Sequence, residues 1–244
     1  MKIYSILNLK GGVGKTQSCI NIAQELSYDH KVLLIDLDPQ GNASIQLDGK
    51  IDNVMYDFFI NQKPLKEIVQ KTKFGFDLIA SELNSNLIQD RTGGVFQREF
   101  MLRKGFEKLS GYDYVIIDCP PSFDILTKNA CLASDMIYVP VGSEPHSASG
   151  LFTLGQALDT IGCEIDAIFF TMYDQRTNVH KWVLDETRDC YGELVAETII
   201  PRATVVNESV LERKTLNAYK PNTPVSNRYK ELVEELFVPS GVVI

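Results

Sequence analysis

The chain has 244 residues, 44% of them hydrophobic and 23% charged, which suits a globular protein long enough for one large α/β domain. A formal net charge of −8 excludes a uniformly basic nucleic-acid binder, though not a basic patch on one face. Five scattered cysteines without a Cys-x-x-Cys pair and three isolated histidines give neither a disulfide framework nor metal-ligand spacing, and no run approaches the roughly 20 apolar residues of a membrane span. The expectation is a cytoplasmic protein with reduced thiols and no cleaved leader.

Ile3 to Leu7 reads as a short apolar strand. Asn8-Leu9-Lys10-Gly11-Gly12-Val13-Gly14-Lys15-Thr16 follows, and Cys19, Ile20, Ile22, Ala23 and Leu26 continue at helical spacing. Strand, glycine-rich turn and helix form the context of a phosphate-binding loop. Glycines let successive N–H groups turn toward an anion, and the helix adds its unpaired N-terminal donors. The expected phosphate cradle is Lys10, Gly11, Gly12, Val13, Gly14, Lys15, Thr16 and Gln17. In it Lys15 reaches the outer phosphates and the Thr16 hydroxyl holds magnesium. A merely tight turn would account for the glycines but for neither Lys15 nor Thr16.

Val32 to Ile35 is a continuous apolar run, typical of a strand buried on both faces, and it ends in Asp36-Leu37-Asp38-Pro39-Gln40-Gly41-Asn42. Carboxylates at the C-terminal end of a central parallel strand lie where open α/β sheets bind ligands. Beyond them, Val54, Phe58 and Phe59 suggest a short helix, Pro64 to Val69 starts another, and Phe76 to Ala80 forms a strand. Arg91 to Gly94 interrupts the pattern before a helix expected from Phe96 to Leu109. Tyr112 to Asp118 is again an apolar strand ending in a carboxylate, followed by Cys119-Pro120-Pro121-Ser122. That is the arrangement in which an aspartate holds magnesium, usually through water.

A helix from Phe123 to Ala133, a strand from Met136 to Val141 and a helix from Ala148 to Ile161 come next. His146 at the start of that last helix is read as a turn residue, because phosphoryl transfer to water has no need of a histidine. Ile165 to Tyr173 is a strand. Val179, Trp182, Val183 and Tyr191 then give a helical stripe, with Asn178 as N-cap, Gly192 as C-terminal stop and Trp182 assigned to the core. Val195 to Ile200 is the last strand, and helices are expected at 205–214 and 226–237. Strands alternating with helices, without linker or repeat, predict one doubly wound, mostly parallel sheet covered on both faces, with residues 1–244 as a single domain.

The loop departs from the common phosphate-loop pattern: Leu9 stands where a glycine is usual, and Lys10 precedes Gly11. Lys10-Gly-Gly-Val-Gly-Lys15-Thr16 resembles the deviant Walker A loop of the ParA/MinD family of P-loop ATPases. Asp36-x-Asp38-Pro-Gln-Gly-Asn resembles its switch I and Asp118-x-Pro-Pro its switch II. Thr171-Met-Tyr-Asp-x-Arg-Thr-Asn and Ile200-Pro201-Arg202 extend the likeness more loosely. The resemblance, to the short form without an N-terminal helix-turn-helix, implies a slow ATPase that uses ATP and Mg2+. In it Lys10 crosses to a partner subunit's nucleotide, Asp36 and Asp118 join Thr16 at the metal, and Asp38 positions the attacking water. Pro201 and Arg202 fall beside the nucleotide.

It further implies a homodimer with ATP, non-specific DNA binding by that dimer in plasmid or chromosome partitioning, association with the nucleoid, and stimulation by a ParB-like centromere-binding protein. Candidate DNA contacts are Arg202, Arg213 and Lys214, with Lys220, Arg228 and Lys230 as additions. The opposing reading makes these ordinary solvated residues, paired with Glu208, Glu212 or Glu231. Alternatives within the family are a MinD-like membrane switch, which the acidic polar side of Lys230 to Pro239 disfavours, and an ATPase that positions protein cargo. A ligase or kinase of the same superfamily is a further alternative.

Overall fold

A computed structural model describes residues 1–50, 52, 54–142 and 147–238. In chain order the elements are β1 (Lys2–Ile6), α1 (Lys15–Leu26), β2 (Val32–Asp36), α2 (Asn42–Gln46), α3 (Met55–Phe59), α4 (Leu65–Ile68), β3 (Gln70–Lys71) and β4 (Asp77–Ile79). Then come α5 (Ile88–Arg91), α6 (Met101–Phe106), β5 (Tyr114–Asp118), α7 (Ile125–Ala133), β6 (Met136–Gly142), α8 (Ser147–Asp159) and β7 (Ala167–Tyr173). The chain continues through α9 (Asn178–Tyr191), β8 (Val195–Pro201), α10 (Thr204–Leu211), α11 (Leu216–Tyr219) and α12 (Pro224–Leu236).

The eight strands form one sheet in the order β3-β4-β2-β5-β1-β6-β7-β8, parallel except for the two-residue edge strand β3. Every residue of β2 and β5 is buried, which is why those stretches read as unbroken apolar runs. Alternate side chains feed two cores. Ile3, Leu33, Ile35, Val115 and Ile117 point to the face covered by α3 and α6 to α9. Tyr4, Ile6, Leu34 and Ile116 point to the face covered by α1 and α12. From β1 the chain first builds outward through β2 and β4, returns with β5, and then builds the other way through β6, β7 and β8. The strand order therefore reverses beside β1, at the crevice where such sheets bind ligands.

The helix expected over 96–109 is shorter than its pattern suggested. A 3-10 turn occupies Arg98–Phe100 and α6 starts at Met101, because Gln97 takes a left-handed φ of 53° that an α-helix cannot continue through. Phe96 is left 85% exposed. The N-cap of α9 is Thr177, not Asn178, and Trp182 is not in the core: it is 58% exposed. The stripe that covers the sheet is Val183, Leu184 and Thr187, which turns Val179 and Trp182 outward. Gly192 ends the helix as expected. His146 lies outside the described residues.

Candidate functional site

The loop between β1 and α1 sits at the C-terminal edge of the sheet and is held from three sides. Asn8 donates through Nδ2 to the Pro140 carbonyl of β6 at 2.8 Å and accepts the Lys10 backbone N–H at 2.9 Å. The Thr171 hydroxyl, at the end of β7, donates to the Val13 carbonyl at 2.7 Å. Gly12 and Gly14 take φ of 75° and 80°, a region that any residue with a Cβ enters at a cost. Helix α1 begins at Gly14 with no side-chain cap and no acidic residue in its first turn. Its N-terminal donors are thus left for an anion.

Lys15 is buried and bends back over this loop, donating through Nζ to the carbonyls of Asn8 and Lys10 at 3.0 Å each. An ammonium has three donors, so one remains for a phosphate oxygen. Burial pushes the Lys15 pKa down, and the nearby Asp118 opposes that shift. Lys10 is exposed on the loop, whereas Thr16 is half-buried.

The carboxylates predicted from the two strand ends converge, since Asp36 and Asp118 are register partners of β2 and β5. Their situations differ. One Asp36 oxygen accepts the Ser44 N–H and hydroxyl at 2.9 and 2.7 Å, and the other accepts the Asp38 N–H at 3.1 Å. Both oxygens of Asp118 are buried without a hydrogen-bond partner. Burial, then the Asp36 charge, drives the Asp118 pKa well above the usual carboxylate range. Burial likewise lifts Asp36 to about 6, against the hydrogen bonds from Ser44.

An orphaned buried carboxylate beside Thr16 and Lys15 fits a cation. Among the described residues no three His, Cys, Asp or Glu side chains form a metal cage. A magnesium ion here would be held by Thr16 and Asp118, whereas Asp36, the third residue expected at the metal, already accepts hydrogen bonds from Ser44 and Asp38. Asp38 is buried, accepts the Gln40 N–H on Oδ1 at 2.9 Å, and keeps Oδ2 without a protein partner among the described residues.

Beside the loop a cavity of about 850 Å3 is lined by Gly14, Gln17, Met172, Asp174, Pro201 and Arg202 among others. It has room for a nucleoside, and Pro201 and Arg202, expected beside a nucleotide, are part of its lining. Arg202 is exposed and has no ion pair among the described residues. Lys220 is likewise exposed without an ion pair among the described residues, whereas four candidates are engaged: Arg213 with Asp48 at 3.1 Å, Lys214 with Glu212 at 3.6 Å, Arg228 with Glu231, and Lys230 with Glu234 at 3.9 Å. All four pairs are exposed and of the weak kind that phosphates can replace.

Three contributors were not legible as such. Thr171 at the loop, Ser44 on Asp36, and a relay from Gln17 Nε2 to Gln46 Oε1 at 2.6 Å, then from Gln46 Nε2 to the Lys214 carbonyl at 2.8 Å, emerge only in three dimensions.

Residues 1–169 match the AAA domain family AAA_31. The chain is 34% identical over 254 residues to the chromosome partitioning protein ParA of Myxococcus xanthus, covering 96% of this chain and 87% of that one. It is 33% identical over 250 residues to the sporulation initiation inhibitor protein Soj of Bacillus subtilis, covering 96% and 98%. Among solved structures, cobyrinic acid a,c-diamide synthase from Mycobacterium smegmatis with bound ADP and magnesium matches with a TM-score of 0.82 at 25% identity, over 96% of this chain and 94% of that one.

Proposed function

Because this chain belongs to the AAA_31 family and, within it, to the ParA/Soj partitioning ATPases, we propose that it is an ATP-hydrolysing switch for DNA partitioning. The observation that carries the reading is the buried Asp118 carboxylate without a partner, set beside Lys15 and Thr16 at the start of an uncapped helix. A site built this way is incomplete without a cation and an anion together.

In this reading the loop N–H groups and Lys15 bind the phosphates, and Thr16 and Asp118 hold the metal. Magnesium, when bound, supplies charge neutralisation at the phosphate oxygens. Asp38 Oδ2 accepts a proton of the attacking water and orients it. Lys10, exposed on the loop, reaches the nucleotide of a second copy, so that ATP binding and dimerisation become one event. Ile45 and Leu83, 58% and 66% exposed, stand on segments that leave the sheet at the same edge and give such a dimer apolar area to bury.

The ATP dimer binds DNA without sequence preference through Arg202, Arg213 and Lys214, and a ParB-like partner triggers release. Support for the coupling comes from the segment after Asp36. Gln46 Nε2 donates to the Lys214 carbonyl and Asp48 pairs with Arg213, so the helix that follows switch I shares contacts with the basic candidates. A membrane role is less well supported. The apolar face of α12 (Val225, Tyr229, Leu232, Val233) is buried in the molecule, and no helix among the described residues is long and apolar enough to cross a membrane.

Phosphate release and light scattering, run on the same samples, test this. The wild type should hydrolyse ATP only with Mg2+ and dimerise with ATP. Asp38→Ala should dimerise and stay dimeric while hydrolysis falls about a hundredfold, the scale of a lost water-positioning group. Lys10→Ala should bind ATP yet remain monomeric. Normal turnover in Asp38→Ala or ATP dimers of Lys10→Ala would overturn those assignments.

A further inference from the structure

Several basic side chains in this acidic chain are accompanied by carboxylates: Lys73 and Arg213 share Asp48, Lys71 pairs with Asp77, and Arg188 with Glu197. Four lysines gather elsewhere without a carboxylate among them. Between the α3–α4 connection and α6 lies a groove of about 440 Å3 whose lining includes Lys63, Lys66, Lys104 and Lys108 and no acidic residue. Lys63 pairs with Asp57 at 3.6 Å, outside the lining. Lys104 donates to Gln97 Oε1 at 3.2 Å, and Lys66 and Lys108 have no ion pair among the described residues.

The sequence brings these lysines together for packing reasons. Helix α4 buries Leu65 and Ile68 and turns Lys66 outward; α6 buries Leu102 and Phe106 and turns Lys104 outward. Gly105 lets the two meet closely, since a Cβ there would fall 2.8 Å from the Phe58 ring and 3.1 Å from Leu65 Cδ1. The floor is accordingly apolar, made by Phe58, Leu65, Met101 and Gly105, and lysine stems extend that apolar wall up to the charged rim.

We propose that this groove docks an acidic segment of a partner protein, one large apolar side chain entering the floor while flanking carboxylates meet the lysines. The site uses none of the residues assigned to nucleotide or DNA, so it stands or falls apart from them. DNA phosphates would match the rim but leave the apolar floor unfilled, and the lining has no arginine for bidentate phosphate contacts. A bilayer suits a protruding apolar surface, whereas this floor is recessed below the charges. A recessed apolar core with a charged rim is the anatomy of a peptide-docking site.

The probe is a short fluorescent peptide alternating Glu with Leu and Phe, titrated with the full chain at low salt and followed by anisotropy. It should bind, and it should weaken with added salt. Polyglutamate of equal length should bind about tenfold less tightly, having nothing for the floor. Lys66→Glu with Lys104→Glu should lower peptide affinity at least about tenfold, through lost attraction and new repulsion. ATP turnover and melting temperature should not change. Met101→Gln should weaken the peptide without altering the charge, and Lys66→Ala with Lys108→Ala gives a milder loss should charge reversal disturb folding. Absence of peptide binding at low salt, equal binding of polyglutamate, or tighter binding of duplex DNA or phosphatidylserine vesicles that the same lysine changes abolish would each overturn the proposal.

Discussion

Asp118 shows how a functional residue works against the fold that carries it. A buried carboxylate without partners costs stability, because it must either hold a charge among apolar neighbours or take up a proton from neutral solution, a cost an amide does not bear. Asp118→Asn should therefore raise the melting temperature of the nucleotide-free protein, by roughly 2–4 °C for each kcal/mol recovered in a chain of this size. It should also weaken Mg2+-dependent ATP binding by at least about tenfold. Calorimetry with and without Mg–ATP reads both; a destabilised apo variant that still binds Mg–ATP normally would contradict the assignment.

Asp36 adds a pH dependence of known sign. Its folded pKa of about 6 lies above the ordinary aspartate value of 3.8, so the folded chain binds more protons in that window. In chelator, its contribution to stability is full below about pH 4 and is lost as pH rises through about 6. The nucleotide-free protein should melt higher at pH 5 than at pH 7.5, and Ser44→Ala, which removes a donor to the Asp36 carboxylate, should widen that gap.

At the scale of elements, Thr171 joins β7 to the phosphate loop by a single hydroxyl. Thr171→Val keeps the shape but leaves the Val13 carbonyl without that donor, which should raise the ATP dissociation constant about tenfold, equal to about 1.4 kcal/mol, while Thr171→Ser restores it. Isothermal titration decides the matter, and wild-type affinity in the valine variant would show the bond to be incidental.

The long elements were legible because buried parallel strands read as unbroken apolar runs and because Gly11 to Thr16 admits few other conformations. The edge strand at Gln70–Lys71 and the short helices at Asn42–Gln46 and Ile88–Arg91 are less than two turns or three residues long, too brief to leave a period in the sequence. Trp182 misled because two apolar stripes share α9, and only packing shows that Val183 and Leu184 face the sheet. Contacts such as Gln17 to Gln46 join residues 29 positions apart, and no spacing rule encodes them.

The whole molecule carries a net charge of −8, so DNA can be bound only where positive side chains gather locally. Arg202 is exposed without an ion pair among the described residues, and Arg213 and Lys214 hold weak, exposed pairs that a phosphate can displace. Each phosphate neutralised contributes about 0.9 to the slope of log affinity against log salt. Arg202→Ala should therefore weaken DNA binding for every sequence and flatten that slope by about 1 per subunit. In the proposed cycle, bound nucleotide governs this surface. Binding of a labelled duplex of arbitrary sequence, measured by anisotropy at low salt with ATP and Mg2+, with ADP and Mg2+, and without nucleotide, tests it most directly. Tight, sequence-indifferent and salt-sensitive binding is expected with ATP alone; equal binding in all three states, or none with ATP, would contradict this switch.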